Sequence, residues 1–230
     1  EMCIRDRFKH LLKEVGFKHG LSVVCMAKPL AHTPGSSMHI HQSVVEQGSG
    51  RNIFSADNDE ATAAFYHFIG GQQAAMADFT LLFAPHVNSY QRLCHPYASP
   101  NNACWSVDNR AAGLRIPASA PVARRVENRL PGADANPYLA LAASLAAGLH
   151  GLERELQPSA PIQGEFEVPE ELALPCTMHA AIERLKRSEL AIELFGAEFI
   201  EGYIASKTLE LTSFYDEITP WERRVLAAQA

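Results

Sequence analysis

The sequence has 230 residues, 47% hydrophobic and 20% charged, which suits one large or two small folded domains and excludes wholesale disorder. Its net charge of −6 and pI near 5.9 argue against a broad nucleic-acid-binding surface. Its apolar runs are shorter than the roughly 20 residues that span a bilayer, and its five cysteines lack zinc-site spacing, so we expect a cytoplasmic protein with no nucleic-acid or membrane partner.

The first residues are set apart from the fold. The stretch MCIRDR matches the translation of a transposase adaptor used in sequencing libraries. We therefore interpret residues 1–7 as an adaptor scar, residues 8–230 as the natural part, and we expect the natural protein to continue upstream. The alternative is a genuine polar N-terminus.

The first predicted elements are a helix over 8–20, closed by Gly20, and a strand over 21–29. The stretch GSSMHIHQS follows and is predicted to be a strand, in which side chains alternate between two faces. The polar face holds Ser37, His39, His41 and Ser43. The other face is mostly apolar and holds Met38, Ile40, Gln42 and Val44. A polar face with two imidazoles is the first indication of a functional site.

The later elements alternate between helices and short strands. They are, in chain order, a helix over 60–76, a long ordered loop over 83–103, two strand-like runs over 103–117 and 122–130, a buried helix over 137–157, two amphipathic helices over 178–195 and 197–215, and a short helix that begins at Pro220. Asn136 is predicted to cap the buried helix, with Pro137 at its first position. Long ordered loops often carry function.

The run VARRVENRL places charged residues on one side of a predicted strand. Arg125, Glu127 and Arg129 share a face. One interpretation is a self-neutralised structural network; the other is that Glu127 holds a divalent cation while the arginines bind anions, as phosphoryl transfer requires. Arg110 and Arg115 in NRAAGLRIP fall on opposite faces unless the chain bends, for example at Gly113.

The histidine pair has two interpretations as well. His39 and His41 are either ordinary polar residues or ligands of a metal ion. Zinc is poorly supported, because no cysteine or third histidine has supporting spacing. A hard cation held mainly by carboxylates fits better beside arginines and phosphate.

Four motifs together resemble the catalytic domain of glutamine synthetase: GSSMHIHQS, NSYQRL, NRAAGLRIP and ARRVENRLPGADANPYLALAASLAAGLHGLE, in that order. The resemblance runs from about residue 8 to near the C-terminus. It implies an α+β fold, with a curved, mainly antiparallel sheet backed by helices. It also implies a domain truncated at its N-terminus, without the smaller N-terminal domain.

The resemblance further implies an ATP-dependent ligase of nitrogen metabolism. Such enzymes phosphorylate glutamate to γ-glutamyl phosphate, which ammonia or an amine then attacks, use Mg²⁺ or Mn²⁺, and form homo-oligomeric rings with sites between subunits. The implied roles are metal binding by His39 and Glu127; nucleotide or phosphate binding by His41, Gln42, Ser43, Arg110, Arg115 and Arg125; glutamate binding by Gly35, Arg92, Arg110 and Arg129; and catalysis by Arg110 and Arg129.

Departures from the family pattern bear on the acceptor. Ammonia-using members carry a glutamate in PGYEAP, where this sequence has HPYASP with Ala98; Val122 stands near a family lysine, and PGSS replaces NGSG. Losing a carboxylate that helps to deprotonate ammonium favours a polyamine or another primary amine as acceptor. Glutamine synthesis from ammonia, a non-catalytic relative and a guanidino-kinase-type phosphotransferase are the alternatives.

The resemblance places the other metal-binding glutamates upstream of this chain. We therefore expect the chain by itself to have little or no ligase activity, because Mg²⁺ needs six well-placed ligands.

Overall fold

The computed structural model describes residues 3–94, 99–164 and 166–229. Its strands are β1 (Ile40–Gln42), β2 (Trp105–Val107), β3 (Leu114–Ile116) and β4 (Val126–Asn128). They form one sheet in the order β1-β4-β3-β2, in which β4 is antiparallel to both neighbours and β2 is parallel to β3. The predicted α+β class, with a mainly antiparallel sheet backed by helices, is confirmed.

The helices surround this small sheet. They are α1 (Cys3–Lys18), α2 (Ala63–Met76), α3 (Thr80–Phe83), α4 (Val87–Leu93), α5 (Pro137–Glu153), α6 (Met178–Lys186), α7 (Glu189–Phe195), α8 (Ala197–Tyr215) and α9 (Pro220–Leu226), with short 3-10 helices at Pro121–Ala123 and Glu170–Leu172. In the part of the chain that the structure describes, no helix is long and apolar enough to cross a membrane.

Helices α2 and α5 pack against each other with a close backbone approach, and the Gln42 side chain of β1 bonds to both helices. A Cβ atom on Gly71 would lie 2.2 Å from the Ala147 carbonyl oxygen, and one on Gly151 would lie 2.1 Å from that of His67. Only glycine fits at such a contact, since backbone cannot move aside. Phe68 of α2 and Ala140, Ala143 and Ala147 of α5 are buried in the hydrophobic core.

Several helix ends follow from the sequence. The Asn136 side chain accepts hydrogen bonds from the backbone N–H groups of Tyr138 and Leu139, and Pro137 is the first residue of α5, as predicted. The helix predicted over 178–195 is in fact two, α6 and α7, because the Ser188 side chain caps a new helix by accepting from the Ala191 N–H.

Two other predictions are wrong. Residues 21–29 form no strand; the side chain of Asn88 instead bonds to both main-chain groups of Lys28, at 2.8 and 2.9 Å. The loop predicted over 83–103 contains α4, which begins with a reciprocal capping pair between His86 and Ser89. Within 35–45 the strand is short, with isolated bridges at Ser37 and Val45 on either side of β1.

Candidate active site

Strand register brings the predicted charged residues together. In the sheet, Glu127 of β4 is directly opposite His41 of β1 on one side and Arg115 of β3 on the other. Residues directly opposite each other in adjacent strands point to the same face of a sheet. Three segments that are distant in sequence therefore place a carboxylate, an imidazole and a guanidinium side by side.

Glu127 is the centre of this cluster. It is 2% exposed; its Oε2 accepts from Arg115 Nη1 at 2.7 Å, and its Oε1 accepts from Arg129 Nη1 at 2.8 Å. Burial raises the pKa of Glu127, but the hydrogen bond from Arg115 and the charge of Arg129 outweigh burial and hold it below its ordinary value. Glu127 is therefore a buried carboxylate that stays ionised.

Both histidines face the same carboxylate. His39 Nδ1 lies 2.8 Å from Glu127 Oε1, and His41 Nε2 lies 3.9 Å from the same atom. Burial and the charge of Arg129 lower the pKa of His39. Burial, together with Arg125, lowers the pKa of His41 although Glu127 opposes the shift. Arg125 Nε donates to His41 Nδ1 at 3.2 Å, a contact that requires a neutral ring nitrogen.

A cleft of about 670 Å³ opens over this cluster. Its charged lining consists of Arg110, Arg115, Arg129 and Glu127. Guanidinium groups thus outnumber carboxylates, which favours an anionic ligand. His39, 99–102 and Phe166 complete the wall together with Ala111.

The bend expected near Gly113 is present and brings Arg110 to the cleft. The chain turns at 108–113, where the Asn109 side chain accepts from the Ala111 N–H. A Cβ atom on Gly113 would lie 1.9 Å from the Asn102 carbonyl oxygen, so the turn needs glycine there. Arg110 and Arg115 consequently line one cleft despite their spacing.

Other predicted site residues lie deeper or elsewhere. Arg92 is 2% exposed, and its two terminal nitrogens donate to the carbonyl oxygens of Leu130 (2.8 Å) and Arg129 (3.0 Å). Burial lowers the pKa of Arg92 to about 10. Gly35 packs on Arg92, since a Cβ there would lie 2.8 Å from Arg92 Cγ. Arg92 thus braces the backbone that carries Arg129.

The remaining nucleotide-binding candidates border β1. The Gln42 side chain points to the helices: its Oε1 accepts from Ser144 Oγ at 2.6 Å and from Gln72 Nε2 at 2.8 Å. Ser43 is exposed just beyond the strand. Ala98, on which the acceptor prediction depends, lies outside the described residues.

Two residues of the site had no assigned role in the sequence. Asp108 bonds to Arg115 and so steers the guanidinium that reaches Glu127. Asn102 is buried; its Oδ1 accepts from the N–H groups of Cys104 and Gly113, and its Nδ2 donates to the Ala111 carbonyl oxygen. The only local signal for Asn102 is the pair of asparagines just before the predicted strand over 103–117. Its contacts with Ala111 and Gly113 form only when the turn has folded.

The donors that the structure describes do not make a complete metal site. Across 3–94, 99–164 and 166–229, no group of three histidine, cysteine or carboxylate side chains is arranged to hold an ion. His39 and Glu127 provide two donors, and both carboxylate oxygens already accept from arginines. A hard divalent cation needs more oxygen ligands than this.

Comparisons with known proteins agree with this picture. The family model for the glutamine synthetase catalytic domain matches residues 6–226. Glutamate–isopropylamine ligase of a Pseudomonas species is 37% identical over 93% of this chain and 48% of its own length. Gamma-glutamylethanolamide synthetase GlnA4 of Streptomyces coelicolor is 38% identical over 94% of this chain and 46% of its own length. The chain spans about half the length of the curated relatives it matches.

Solved structures give the same result. The chain superposes on ligand-free GmaS with a TM-score of 0.83 and 34% identity, covering 96% of this chain and 52% of the other. For a GmaS/ADP complex the TM-score is 0.85 and the identity 33%, with coverage of 97% and 53%. Since the family model matches almost every residue, this chain belongs to the glutamine synthetase family and corresponds to its catalytic domain.

Proposed function

We propose that this chain carries the phosphoryl-transfer face of an ATP-dependent glutamate–amine ligase. The observation that carries the proposal is the buried Glu127, held by Arg115 and Arg129 at the floor of a cleft that also contains Arg110. An excess of guanidinium groups is what a triphosphate and a transferring phosphoryl group need. The family membership and the ADP-bound neighbour support it.

In the proposed reaction, an oxygen of the glutamate γ-carboxylate attacks the γ-phosphorus of ATP, and ADP leaves. The amine nitrogen then attacks the carbonyl carbon of γ-glutamyl phosphate, loses a proton, and expels phosphate. Arg110 and Arg115 are assigned to the charge that develops on the phosphoryl oxygens, because both line the cleft. Arg110 is assigned to the meeting point of ATP and glutamate on the basis of the family membership.

Glutamate is assigned to Arg129 and the segment behind it. The Nε of Arg129 is buried and has no hydrogen-bond partner among the described residues, so this side chain retains an unused donor. Arg92 and Gly35 support glutamate binding through the backbone of Arg129, given the carbonyl contacts of Arg92. Because both terminal nitrogens of Arg92 bond to backbone carbonyl oxygens, we assign Arg92 to positioning Arg129 and not to direct contact with glutamate.

The nucleotide is assigned to the β1 edge of the cleft. His41 and Arg125, which hydrogen-bond to each other, lie beside Ser43 at that edge. Gln42 would contribute through its main chain, since its side chain is engaged with Ser144 and Gln72.

Binding of Mg²⁺ or Mn²⁺ by His39 and Glu127 requires donors beyond those described. In the proposal these come from the rest of a longer protein, which we expect to form a homo-oligomeric ring. No step of the reaction above depends on that assignment.

A primary amine is the proposed acceptor. Two relatives are named for isopropylamine and ethanolamide chemistry, and Ala98 removes a carboxylate that would favour ammonium. The amine itself is open: a small monoamine and a polyamine both satisfy this argument.

The test is phosphate release from ATP by the longer protein that contains this chain, with glutamate and, in turn, ammonia, isopropylamine, ethanolamine, putrescine and spermidine. We expect an amine to exceed ammonia. Arg110→Ala should lower kcat on the order of a hundredfold, whereas Arg51→Ala, an exposed arginine paired with Asp57, should not. Ammonia as the best acceptor would show a glutamine synthetase, and no glutamate-dependent release would contradict the proposal.

A further inference from the structure

Two thiols meet at the edge of the cleft region. Cys94 is the C-cap residue of α4, and Cys176 lies just before Thr177, the N-cap residue of α6. They are 82 positions apart in sequence, yet Cys94 Sγ donates to the Cys176 carbonyl oxygen at 3.1 Å.

The thiol pair is accessible, in contrast to another cysteine of the chain. Cys94 and Cys176 are both exposed, whereas Cys104 is 0% exposed in the core. Reaction of a thiol with a small disulfide requires access. Exposure and mutual contact together distinguish this pair from Cys25 and Cys104.

The pair also contacts the cleft. Asn101, which lines the cleft, donates from Nδ2 to Cys176 Sγ at 2.9 Å. Cys94 follows Arg92 by two residues, and Arg92 holds the carbonyl oxygens of Arg129 and Leu130. A covalent change at the pair therefore acts on two segments that border the candidate active site.

We propose that Cys94 and Cys176 form a reversible intramolecular disulfide, a modification site at the edge of the cleft. The oxidant is a low-molecular-weight disulfide such as oxidised glutathione. Cys176 loses its proton and attacks one sulfur of that disulfide, releasing one small thiol and leaving a mixed disulfide. Cys94 then loses its proton and attacks the Cys176 sulfur, which forms the protein S–S bond and releases the second small thiol.

The order of attack follows from the surroundings of each sulfur. Burial and the contact with Cys176 raise the pKa of Cys94 to about 12, so this thiol keeps its proton near neutral pH. Cys176 is exposed and its sulfur accepts a hydrogen bond from the Asn101 amide, so the first attack is assigned to Cys176. In a reducing compartment the bond would be transient, as regulatory disulfides are.

The experiment treats the native chain with oxidised glutathione and maps its disulfides by mass spectrometry without reduction. We expect loss of two free thiols, a mass lower by two hydrogen atoms with no glutathione retained, and one crosslinked peptide pair joining Cys94 to Cys176. Dithiothreitol should restore both thiols. A crosslink at another pair, or stable glutathione adducts at both cysteines, would overturn the proposal.

Variants provide matched controls. Cys94→Ser and Cys176→Ser should each abolish the crosslink, while Cys25→Ser should leave it unchanged. The wild-type map in native buffer decides the question even if a variant fails to fold. In urea the specific pairing should disappear, because the contact between the Cys94 thiol and the Cys176 backbone depends on the fold. A crosslink that persists equally in urea would contradict the structural basis. None of these measurements depends on the proposed ligase function.

Discussion

The two faces of β4 carry different kinds of polar group. Toward the cleft, Glu127 is held by the charged side chains of Arg115 and Arg129. Toward the helices, Asn128 donates to Ser144, which donates in turn to Gln42. Both sets are buried at the strand, yet only the first is ionic.

The two faces of β4 differ in what their polar groups contribute to stability. A neutral network in which each partner bonds to another fixes the position of β4 under α2 and α5. Buried charges add little net stability against a hydrophobic alternative, because desolvation costs nearly as much as pairing gains. Under the proposed function, the charged face serves ligand binding, whereas the neutral face serves the fold.

The largest expected effect comes from removing the central carboxylate. Glu127→Ala leaves Arg129, which is 6% exposed, without its charge partner. Breaking a buried ion pair in this way costs about 3–5 kcal/mol. Urea unfolding of the chain measures the loss as a change in the free energy of unfolding.

Asp108→Asn is the matched control, since Asp108 binds the same Arg115 from the exposed side, with a side chain 53% exposed. Asparagine also tolerates the φ of 50° at that position. We expect a much smaller loss of unfolding free energy than for Glu127→Ala, because solvent screens an exposed ion pair. Equal effects of the two variants would show that burial of Glu127 does not matter, and would break the comparison between the faces.

A substitution on the neutral, helix-facing side of β4 should lower the free energy of unfolding less than Glu127→Ala does. Ser144→Ala removes a hydroxyl that donates to Gln42 and accepts from Asn128, and Ser144 is 1% exposed. Leaving buried partners unsatisfied costs about 1–3 kcal/mol. Ser213→Ala, at an exposed position of α8, should stay within about 0.5 kcal/mol in the same unfolding assay. A neutral result for Ser144→Ala would mean that the network does not hold the strand.

The smallest effect is expected at an ion pair outside the cleft. Burial raises the pKa of Glu210, but hydrogen bonds from Lys207 and His86 outweigh burial and hold it below the ordinary value of 4.5. The folded carboxylate thus binds a proton less tightly than the unfolded one. Its contribution is present above pH 4.5 and is lost as the pH falls through the lower, folded pKa.

Because Glu210 is 35% exposed, solvent reduces this contribution to about 0.5–1 kcal/mol. Unfolding of wild type and Glu210→Gln, followed from neutral pH to below pH 4.5, should show two curves that converge in acid. A difference that persists below the folded pKa would rule out this ion-pair explanation.

The sequence predicted the helices with strong local signals and missed elements that depend on tertiary contacts. Asn136 and Pro137 mark the start of α5 in any context. The segment over 21–29 has strand composition but bonds to the side chain of Asn88, a residue 60 positions away from Lys28. No local pattern reveals such a partner.

The candidate site was predictable to a similar extent. Alternation within each segment placed His39 with His41, and the family resemblance placed His39 with Glu127; the structure brings both histidines to that carboxylate. The register that sets Arg115 opposite Glu127, and the burial of Arg92 behind Arg129, depend on strand pairing and packing. Those relations appear only once the sheet has formed.

The most direct test of the central claim follows an oxygen atom. The longer protein is supplied with ATP, its best amine and glutamate labelled with a heavy oxygen isotope in the γ-carboxylate. The isotope content of the released phosphate is then measured by mass spectrometry. We predict that one labelled oxygen passes into each phosphate, because the carboxylate attacks phosphorus and later departs with it. Unlabelled phosphate would mean that water attacks ATP, and would contradict a glutamate–amine ligase built on this cleft.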